Sequence, residues 1–270
     1  MKSTTEIPSC CCSFEAQHEQ HTHPAMRALE KEVLGCDFGG TSWTTRSQAD
    51  EIPAALNLDS DSHLLEIGAG TGWPGIYLAA KASCNVTLLD IPVSSLKHAW
   101  QRADDERLGD RCDAVAASGA ALPFTDDAFG AIGHSDVLCC LPDKLAMLKE
   151  CRRVACTGAR MLFYVIAPAP GLSKVHLDEA CRVGPPFVDI PDDYVSLLAE
   201  SGWDLVEKTD LTAEYLFALR RLIEGLETGS ATLEKALGPA EFNRQLQHRR
   251  EQASAIERGL LEREIYLVQA

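Results

Sequence analysis

Short apolar runs and longer amphipathic stretches take turns along most of the chain. The apolar runs predict strands over residues 84–90, 112–117, 129–135 and 159–166, with a helix near 191–201 and strands over 203–208 and 264–269 further on. The amphipathic stretches, where apolar residues recur at helical spacing, predict helices over 73–82, 93–108 and 143–154. Because strands that alternate with helices pair in parallel, the pattern predicts an α/β fold.

A glycine-rich loop follows the first apolar strand. The strand ends in an acid, Glu66, and the glycines after it have the spacing GxGxG, with Gly68, Gly70 and Gly72. Glycine is needed where the backbone turns tightly and approaches a ligand without a Cβ in the way. The loop therefore indicates a site for an adenosine-containing cofactor, although dinucleotide-binding enzymes place similar turns at this position.

A second carboxylate ends the next predicted strand. Asp90 lies where a doubly wound sheet needs an acceptor for two ribose hydroxyls. With these two motifs, and with a Leu-Pro-Phe segment at 122–124, the chain resembles the class I S-adenosylmethionine-dependent methyltransferases. It is similar in particular to the small-molecule branch of ubiquinone and menaquinone C-methyltransferases, over roughly residues 64–158.

The resemblance implies a Rossmann-like, doubly wound, mostly parallel seven-stranded sheet whose last two strands form an antiparallel pair. It implies S-adenosyl-L-methionine as the cofactor and in-line transfer of a methyl group to a small organic acceptor. The cofactor-binding residues that it implies are Glu66, Gly68, Ala69, Gly70 and Gly72 around the glycine loop, Asp90 and Ile91 after the second strand, Ser118, Gly119 and Ala120 beside the adenine, and His134 near the end of the fourth strand.

Three positions depart from the pattern of these relatives. Ser118 stands where a carboxylate often binds the adenine amino group, so the adenine contact would rest on nearby backbone groups or on a hydroxyl. Gly130 replaces a common aspartate, and Cys140 stands where a histidine is frequent. Ser118 and Gly130 are the features that favour a non-catalytic interaction module with this fold, which the intact glycine loop disfavours.

The chain is expected to comprise a core and three additions. Residues 1–25 are polar and lack apolar periodicity, which indicates a disordered tail; a zinc site there is disfavoured because its cysteines are adjacent. Residues 26–60 are interpreted as lid helices, and 61–211 with 260–270 as the methyltransferase core. Residues 212–259 are too long for a hairpin loop and carry helical spacing, so they are interpreted as a helical substrate cap.

Side chains outside the glycine loop are further candidates for ligand contact. In the lid, we expect Trp43 to cover the sulfonium or the substrate and Arg46 to pair with the methionine carboxylate. A packing tryptophan and a solvated arginine are the alternative. The substrate candidates, from the region of the fifth strand and from the cap, are Tyr164, His176 and Tyr215.

His134 and Asp136 are the candidates for a catalytic base, should the acceptor need to lose a proton. They lie at the carboxyl edge of the fourth strand, where ligands bind in open parallel sheets. A backbone contact with the cofactor is the alternative for His134. The pair Cys139 and Cys140 raises a thiol or arsenite acceptor, a hypothesis disfavoured because only Cys36 is conceivable as a third ligand.

Composition narrows the class of partner. Lys and Arg number 25 against 40 Asp and Glu, a formal net charge of −15, which argues against a nucleic-acid substrate. Eleven cysteines, with no bilayer-length apolar stretch and no basic-then-apolar leader, predict a cytoplasmic protein with free thiols that does not bind membranes. A nicotinamide-dependent oxidoreductase is the other enzyme hypothesis, but it leaves the lid and the late antiparallel strand unexplained.

Overall fold

The predicted apolar runs form the strands of one sheet. The computed structural model describes residues 20–40, 42–190 and 193–270, and within these ranges the sheet has seven strands. In chain order they are β1 (His63–Ile67), β2 (Asn85–Asp90), β3 (Cys112–Ala116), β4 (Phe129–Ser135), β5 (Ala155–Pro168), β6 (Asp204–Asp210) and β7 (Leu261–Gln269). Four of the five residues of β1 are buried, as expected for a strand that helices cover on both faces.

The strand order is β3-β2-β1-β4-β5-β7-β6. The strands from β3 to β5 are parallel to their neighbours, whereas β7 is antiparallel to both β5 and β6. This confirms the expected mostly parallel sheet with an antiparallel final pair. The order reverses between β1 and β4, so the loops after these two strands diverge and leave a crevice at the carboxyl edge of the sheet.

Helices pack on both faces of the sheet. Several begin at a side-chain cap: Thr45 forms a capping box with Gln48, and Ser173 accepts a hydrogen bond from the backbone N–H of His176. The helices described are α1 (Pro24–Leu34), α2 (Arg46–Ala55), α3 (Gly75–Ala82), α4 (Val93–Asp105), α5 (Lys144–Val154), α6 (Lys174–Val183), α7 (Tyr194–Glu200), α8 (Thr212–Thr228), α9 (Ser230–Leu237) and α10 (Pro239–Glu257). Within the described residues, none of these has the length and apolar character for a bilayer crossing.

Three helices, α8 to α10, fill the segment between β6 and β7. Arg220 on α8 forms a 2.8 Å ion pair with Glu257 on α10. Helix α8 also packs closely on α1, because a Cβ at Gly225 would lie 2.2 Å from the Leu29 side chain. The segment 212–259 is therefore helical, as its apolar spacing predicts, and it lies against the amino-terminal helices.

The structure differs from the sequence predictions mainly at α6. The sequence predictions do not include this ten-residue helix, which the Ser173 cap starts directly after a segment rich in proline and glycine. Strand β5 begins at Ala155 rather than at 159, and its pairing with β4 shifts register between Phe129 and Ala131. Most of the tail predicted over 1–25 lies outside the described residues, while α1 begins at Pro24.

Candidate cofactor and acceptor site

The glycine loop after β1 is held against the end of β2. The backbone N–H groups of Gly68 and Ala69 both donate to the Leu89 carbonyl, at 2.7 and 3.1 Å. Gly68 has φ +69°, and a Cβ there would lie 2.3 Å from Cγ2 of Val137 in the loop after β4. A side chain at this position is thus excluded by both backbone conformation and space.

Asp90 fixes the second half of the loop. Its Oδ2 accepts a 2.7 Å hydrogen bond from the Gly70 N–H, and its Oδ1 accepts one of 2.6 Å from the Ile91 N–H. Burial raises the pKa of the Asp90 carboxyl, and these two hydrogen bonds oppose that rise. Each carboxylate oxygen keeps acceptor capacity for a further donor, because a carboxylate oxygen can accept more than one hydrogen bond.

Glu66 and Gly72 support the loop from within. Oε2 of Glu66 lies so close to Gly75 that a Cβ there would overlap it. Within the described residues, no donor reaches this buried oxygen with the geometry of a hydrogen bond. Burial raises the pKa of Glu66 to about 8, with the Gly75 backbone opposing the rise. A Cβ at Gly72 would lie 2.3 Å from Ile76 Cδ1. Both residues pack beneath the loop.

A cleft of about 590 Å³ opens beside the glycine loop. One wall is formed by Gly68, Ala69 and Gly70, with Ser135 and Asp136 after β4. The segment between α1 and α2 contributes Ser42 and Trp43. The facing walls come from the region of α6 and from α10, whose lining residues are Cys181, Arg182, Gly184, Pro185, Pro186, Phe187, Arg244, Gln245, His248, Arg249 and Gln252. Its volume is in the range of sites for small molecules.

Comparison with known sequences identifies the domain that contains this site. Residues 65–163, from β1 to β5, match the family described as methyltransferase domain. The matched range contains the glycine loop, Asp90 and the loop after β4.

This part of the chain is a methyltransferase domain, and the whole has the class I methyltransferase fold.

Three relatives show the range of this similarity. Methyltransferase GfsG of Streptomyces halstedii is 26% identical over 169 residues, which cover 61% of each chain. The 27-O-demethylrifamycin SV methyltransferase of Amycolatopsis mediterranei is 27% identical over 173 residues, or 63% of each chain. The alignments thus span less than two thirds of either relative. The (+)-O-methylkolavelool synthase of Herpetosiphon aurantiacus is 24% identical over 254 residues and 88% of each chain.

Solved structures share the methyltransferase fold. Phosphoethanolamine N-methyltransferase 2 of Haemonchus contortus, in complex with S-adenosyl-L-methionine, gives a TM-score of 0.76 at 13% identity and covers 95% of this chain and 59% of its own. The [4+2]-cyclase SpnF gives a TM-score of 0.71 at 17% identity, with 94% of each chain covered. Because a cyclase shares the fold, the fold alone does not specify methyl transfer.

Asp136 lines the cleft, but its carboxylate is already paired with an arginine. Its two carboxylate oxygens accept hydrogen bonds of 3.0 Å from Nε and Nη2 of Arg263 on β7. The guanidinium is fully buried, and it also approaches the Thr44 hydroxyl at 3.3 Å. The backbone N–H of Trp43 donates to Asp136 Oδ2 at 3.4 Å. Asp136 therefore connects β4 with β7 and with the segment between α1 and α2.

His134 does not line the cleft. Its ring stacks on Phe163 with centroids 4.8 Å apart, and neither ring nitrogen has a hydrogen-bond partner within the described residues. Burial lowers the pKa of His134 to about 3, which keeps the imidazole neutral. The two base candidates thus lie in different environments, one packed in the core and one at the cleft.

The remaining candidates divide between the cleft and other parts of the fold. Trp43 lines the cleft, but Arg46 lies on the ring of Tyr77, 4.0 Å from its centroid, and does not line it. The adenine candidates do not line the cleft either: Ser118 accepts a hydrogen bond from the Ala120 N–H at 3.3 Å, and Gly119 is buried against Ile67 and Met147.

The substrate candidates lie outside the cleft as well. Tyr164 and Tyr215 are buried, with the Arg263 guanidinium 4.8 and 6.0 Å from their ring centroids, and Tyr215 also meets Trp43 edge-on at 5.0 Å. His176 is exposed on the first turn of α6. The two tyrosines thus pack in the interior, and His176 lies on the surface.

The cysteine pair after β4 is likewise divided. Cys140 and Cys181 line the cleft, whereas Cys139 is buried and Cys36 donates its thiol hydrogen to Glu30 at 3.3 Å. Within the part of the chain that the structure describes, no cluster of three His, Cys, Asp or Glu residues fits a metal ion.

The polar face of α10 is the part of the site that sequence reasoning missed. Its members follow helical spacing, because positions 244, 245, 248, 249 and 252 fall on one side of an α-helix. This recurrence at helical spacing is the signal that could have identified this face, but polar residues such as the exposed Asn243, Gln247 and Arg250 cover the other side of α10 as well and obscure it. Arg263 carried no such signal, as it lies in an ordinary strand.

Proposed function

We propose that this methyltransferase transfers the methyl group of S-adenosyl-L-methionine to a hydroxyl of a small organic acceptor. The observation that carries the proposal is the cleft, where the glycine loop forms one wall and the polar face of α10 forms another. One continuous space of this kind supports a cofactor and an acceptor lying side by side. Two relatives support oxygen as the methylated atom, because both names refer to a methyl group on oxygen.

The residues of the loop fit the cofactor. Gly68 and Gly70 let the backbone approach it without a Cβ, and the Asp90 carboxylate, bonded to the Gly70 N–H, is the proposed acceptor for the ribose hydroxyls. Trp43 covers the cleft from the lid and restricts water. When bound, the cofactor supplies an electrophilic methyl group, so positioning the acceptor and excluding water provide much of the catalysis.

His248 is the residue that we propose as the proton acceptor. It lies on the cleft face of α10, and its pKa is lowered by burial and by the neighbouring Arg249 and Arg244. A neutral imidazole at pH 7 can take the proton that a hydroxyl acceptor loses. His134 has no access to the cleft, and Asp136 is held by Arg263, so neither is suited to this step.

The acidic chain and its thiols support the cellular setting of the proposal. The structure describes eight cysteines, and all of them are free thiols. Free thiols are typical of reducing compartments, which supports a cytoplasmic enzyme. The net charge of −15 supports a small-molecule acceptor rather than nucleic acid.

Calorimetric titration with S-adenosylmethionine, S-adenosylhomocysteine and NADH tests the cofactor assignment. Binding of the first two without NADH is the expected result, and binding of NADH alone would overturn it. An acceptor screen with isotopically labelled S-adenosylmethionine then tests the reaction. Cofactor binding without label transfer to any hydroxyl compound would overturn the proposal of a hydroxyl acceptor.

The role of His248 is tested by His248→Gln against the exposed control His98→Gln. The expected loss in kcat is about 100-fold or more for His248→Gln, with unchanged affinity for S-adenosylhomocysteine. The limb of the pH-rate profile below about pH 6.5 should also disappear. An unchanged kcat and profile would remove His248 from the reaction.

A further inference from the structure

The charge of the cleft is opposite to that of the protein as a whole. Although the formal net charge of the chain is −15, the cleft lining contains three arginines, Arg182, Arg244 and Arg249, and a single carboxylate, that of Asp136. Asp136 is already neutralised by Arg263 behind it. A cleft of one charge sign attracts ligands of the other.

Two of the three arginines have carboxylate partners. Arg182 pairs with Glu251 at 2.8 Å, and Arg244 pairs with Glu241 at 2.5 Å. Arg249 differs, because no described carboxylate lies within ion-pair distance of it. Its hydrogen bond to a described residue is the 3.2 Å contact with Gln252 Oε1, and its guanidinium lies 5.1 Å from the Trp43 ring centroid.

The Arg249 guanidinium therefore has N–H donors that no described carboxylate accepts. A guanidinium has five N–H donors in a planar fork that matches a carboxylate or phosphate. Withdrawing such a cation from water costs free energy unless an anion pairs with it. Burial also lowers the pKa of Arg249. The neighbours at the cleft that could add donors to a bound oxyanion are Gln245, His248 and Gln252.

We propose that the methyl acceptor carries an oxyanion group, a carboxylate or a phosphate, which binds the Arg249 guanidinium on the cleft face of α10. The proposal rests on the methyl-transfer function above. Because Arg249 stacks beside Trp43 and is the neighbour of His248 in sequence, the anion is anchored near the lid and the proposed base. Anchoring one end of the acceptor restricts the orientation of the hydroxyl toward the cofactor.

The same helix offers a matched control. Arg250 follows Arg249 directly, but it is exposed and pairs with Glu227 at 2.6 Å outside the cleft. Arg249→Gln removes the cleft cation, whereas Arg250→Gln removes the same charge from the same helix. Arg249→Lys keeps the charge without the fork and preserves a test if the glutamine variant is poorly folded.

The experiment is calorimetric titration of the protein saturated with S-adenosylhomocysteine, using inorganic phosphate in one arm and benzoate in the other. One of the probes is expected to bind the wild type and the Arg250→Gln variant alike, and the arm that binds tells phosphate from carboxylate. Arg249→Gln is expected to weaken that binding by about tenfold or more, and Arg249→Lys by an intermediate factor.

Two results would overturn the proposal. The first is that neither probe binds the wild type, or that the probe that binds it also binds Arg249→Gln with unchanged affinity. The second is that Arg249→Gln weakens S-adenosylhomocysteine but not 5′-methylthioadenosine, which lacks the amino acid portion, because Arg249 would then hold the methionine carboxylate. Failure of the wild type to bind S-adenosylhomocysteine at all would count against the methyltransferase function instead, and titration of the unliganded protein with the probes would still test Arg249.

Discussion

The Asp136 carboxylate and the Arg263 guanidinium face each other in a two-point ion pair, with both N···O distances at 3.0 Å. The arginine is fully buried and the aspartate side chain is only 10% exposed. The pair connects the loop after β4 with β7, 127 residues later in the chain. The Thr44 hydroxyl accepts from Arg263 and the Trp43 N–H donates to Asp136, so the ion pair also holds the segment between α1 and α2.

Breaking this pair should destabilise the fold. Asp136→Asn leaves the Arg263 charge buried without its partner, which we expect to lower the free energy of unfolding by about 3 kcal/mol. Urea denaturation measures the change. Asp126→Asn is the control, because Asp126 is exposed and its pair with Arg153 should contribute less than about 1 kcal/mol. A fully stable Asp136→Asn enzyme with lost turnover would instead favour the catalytic role predicted from sequence.

The glycine loop should not tolerate a side chain. Gly68→Ala introduces a Cβ that would lie 2.3 Å from Val137, and it is expected to weaken S-adenosylhomocysteine binding by about tenfold or more. Gly171→Ala is a matched control, since Gly171 has a similar φ of +74° with no atom within 4 Å of its Cβ position. Gly171→Ala therefore introduces backbone strain without a steric overlap. Equal affinities in the two variants would contradict the steric explanation.

Asp90 should contribute directly to cofactor affinity. Asp90→Ala removes the carboxylate that organises the Gly70 and Ile91 N–H groups, and we expect a loss of about 2–3 kcal/mol in S-adenosylhomocysteine binding. Calorimetry measures this loss directly. Exposed Asp61 provides the control variant Asp61→Ala. An unchanged affinity in Asp90→Ala would remove this carboxylate from the cofactor site.

His134 should make the fold less stable in acid. Its folded pKa of about 3 lies below its ordinary value near 6.5, so the unfolded chain binds more protons than the folded protein between these values. Its contribution to stability is therefore complete above pH 6.5 and is lost toward pH 3. His134→Leu should reduce the dependence on pH in this window by up to about 1.4 kcal/mol per pH unit. Turnover near neutral pH should persist, since the ring does not line the cleft.

Glu66 should have the opposite effect at higher pH. Its folded pKa of about 8 lies above its ordinary value near 4.5, so the folded protein binds more protons than the unfolded chain between the two. Its contribution to stability is present below pH 4.5 and is lost as pH rises to 8. Glu66→Gln, which cannot ionise, should flatten this decline in denaturation curves recorded from pH 5 to 8. Parallel curves for both proteins would show that Glu66 titrates normally.

The sequence predicts the core of this fold well because each of its signals is local. Apolar runs and helical spacing place β1 to β5 within a few residues, and the positions of Gly68 and Asp90 follow from the ends of β1 and β2. Each of these features is determined by residues that are close together in the sequence. The family resemblance extends this to the antiparallel β7.

The side chains of the cleft are harder to predict because a single backbone change redirects them. His134 and Asp136 are two residues apart, which in a continuous strand would place both on one face. Strand β4 ends at Ser135, however, and Asp136 adopts φ +57°, in the left-handed region. The alternation therefore stops between them. His134 packs against Phe163, while Asp136 meets Arg263 from a strand whose position no local pattern reveals.

The position of β7 also sets the order in which the molecule can be completed. This strand follows every other described element in the chain, yet it lies between β5 and β6 and supplies Arg263. During synthesis β6 has no strand to pair with until β7 is made, and Asp136 has no counter-charge. Until β7 is synthesised, one edge of β5 therefore stays unpaired and is exposed to chaperone binding or aggregation. Removing β7 should leave β6 without a neighbouring strand and Asp136 without its counter-charge.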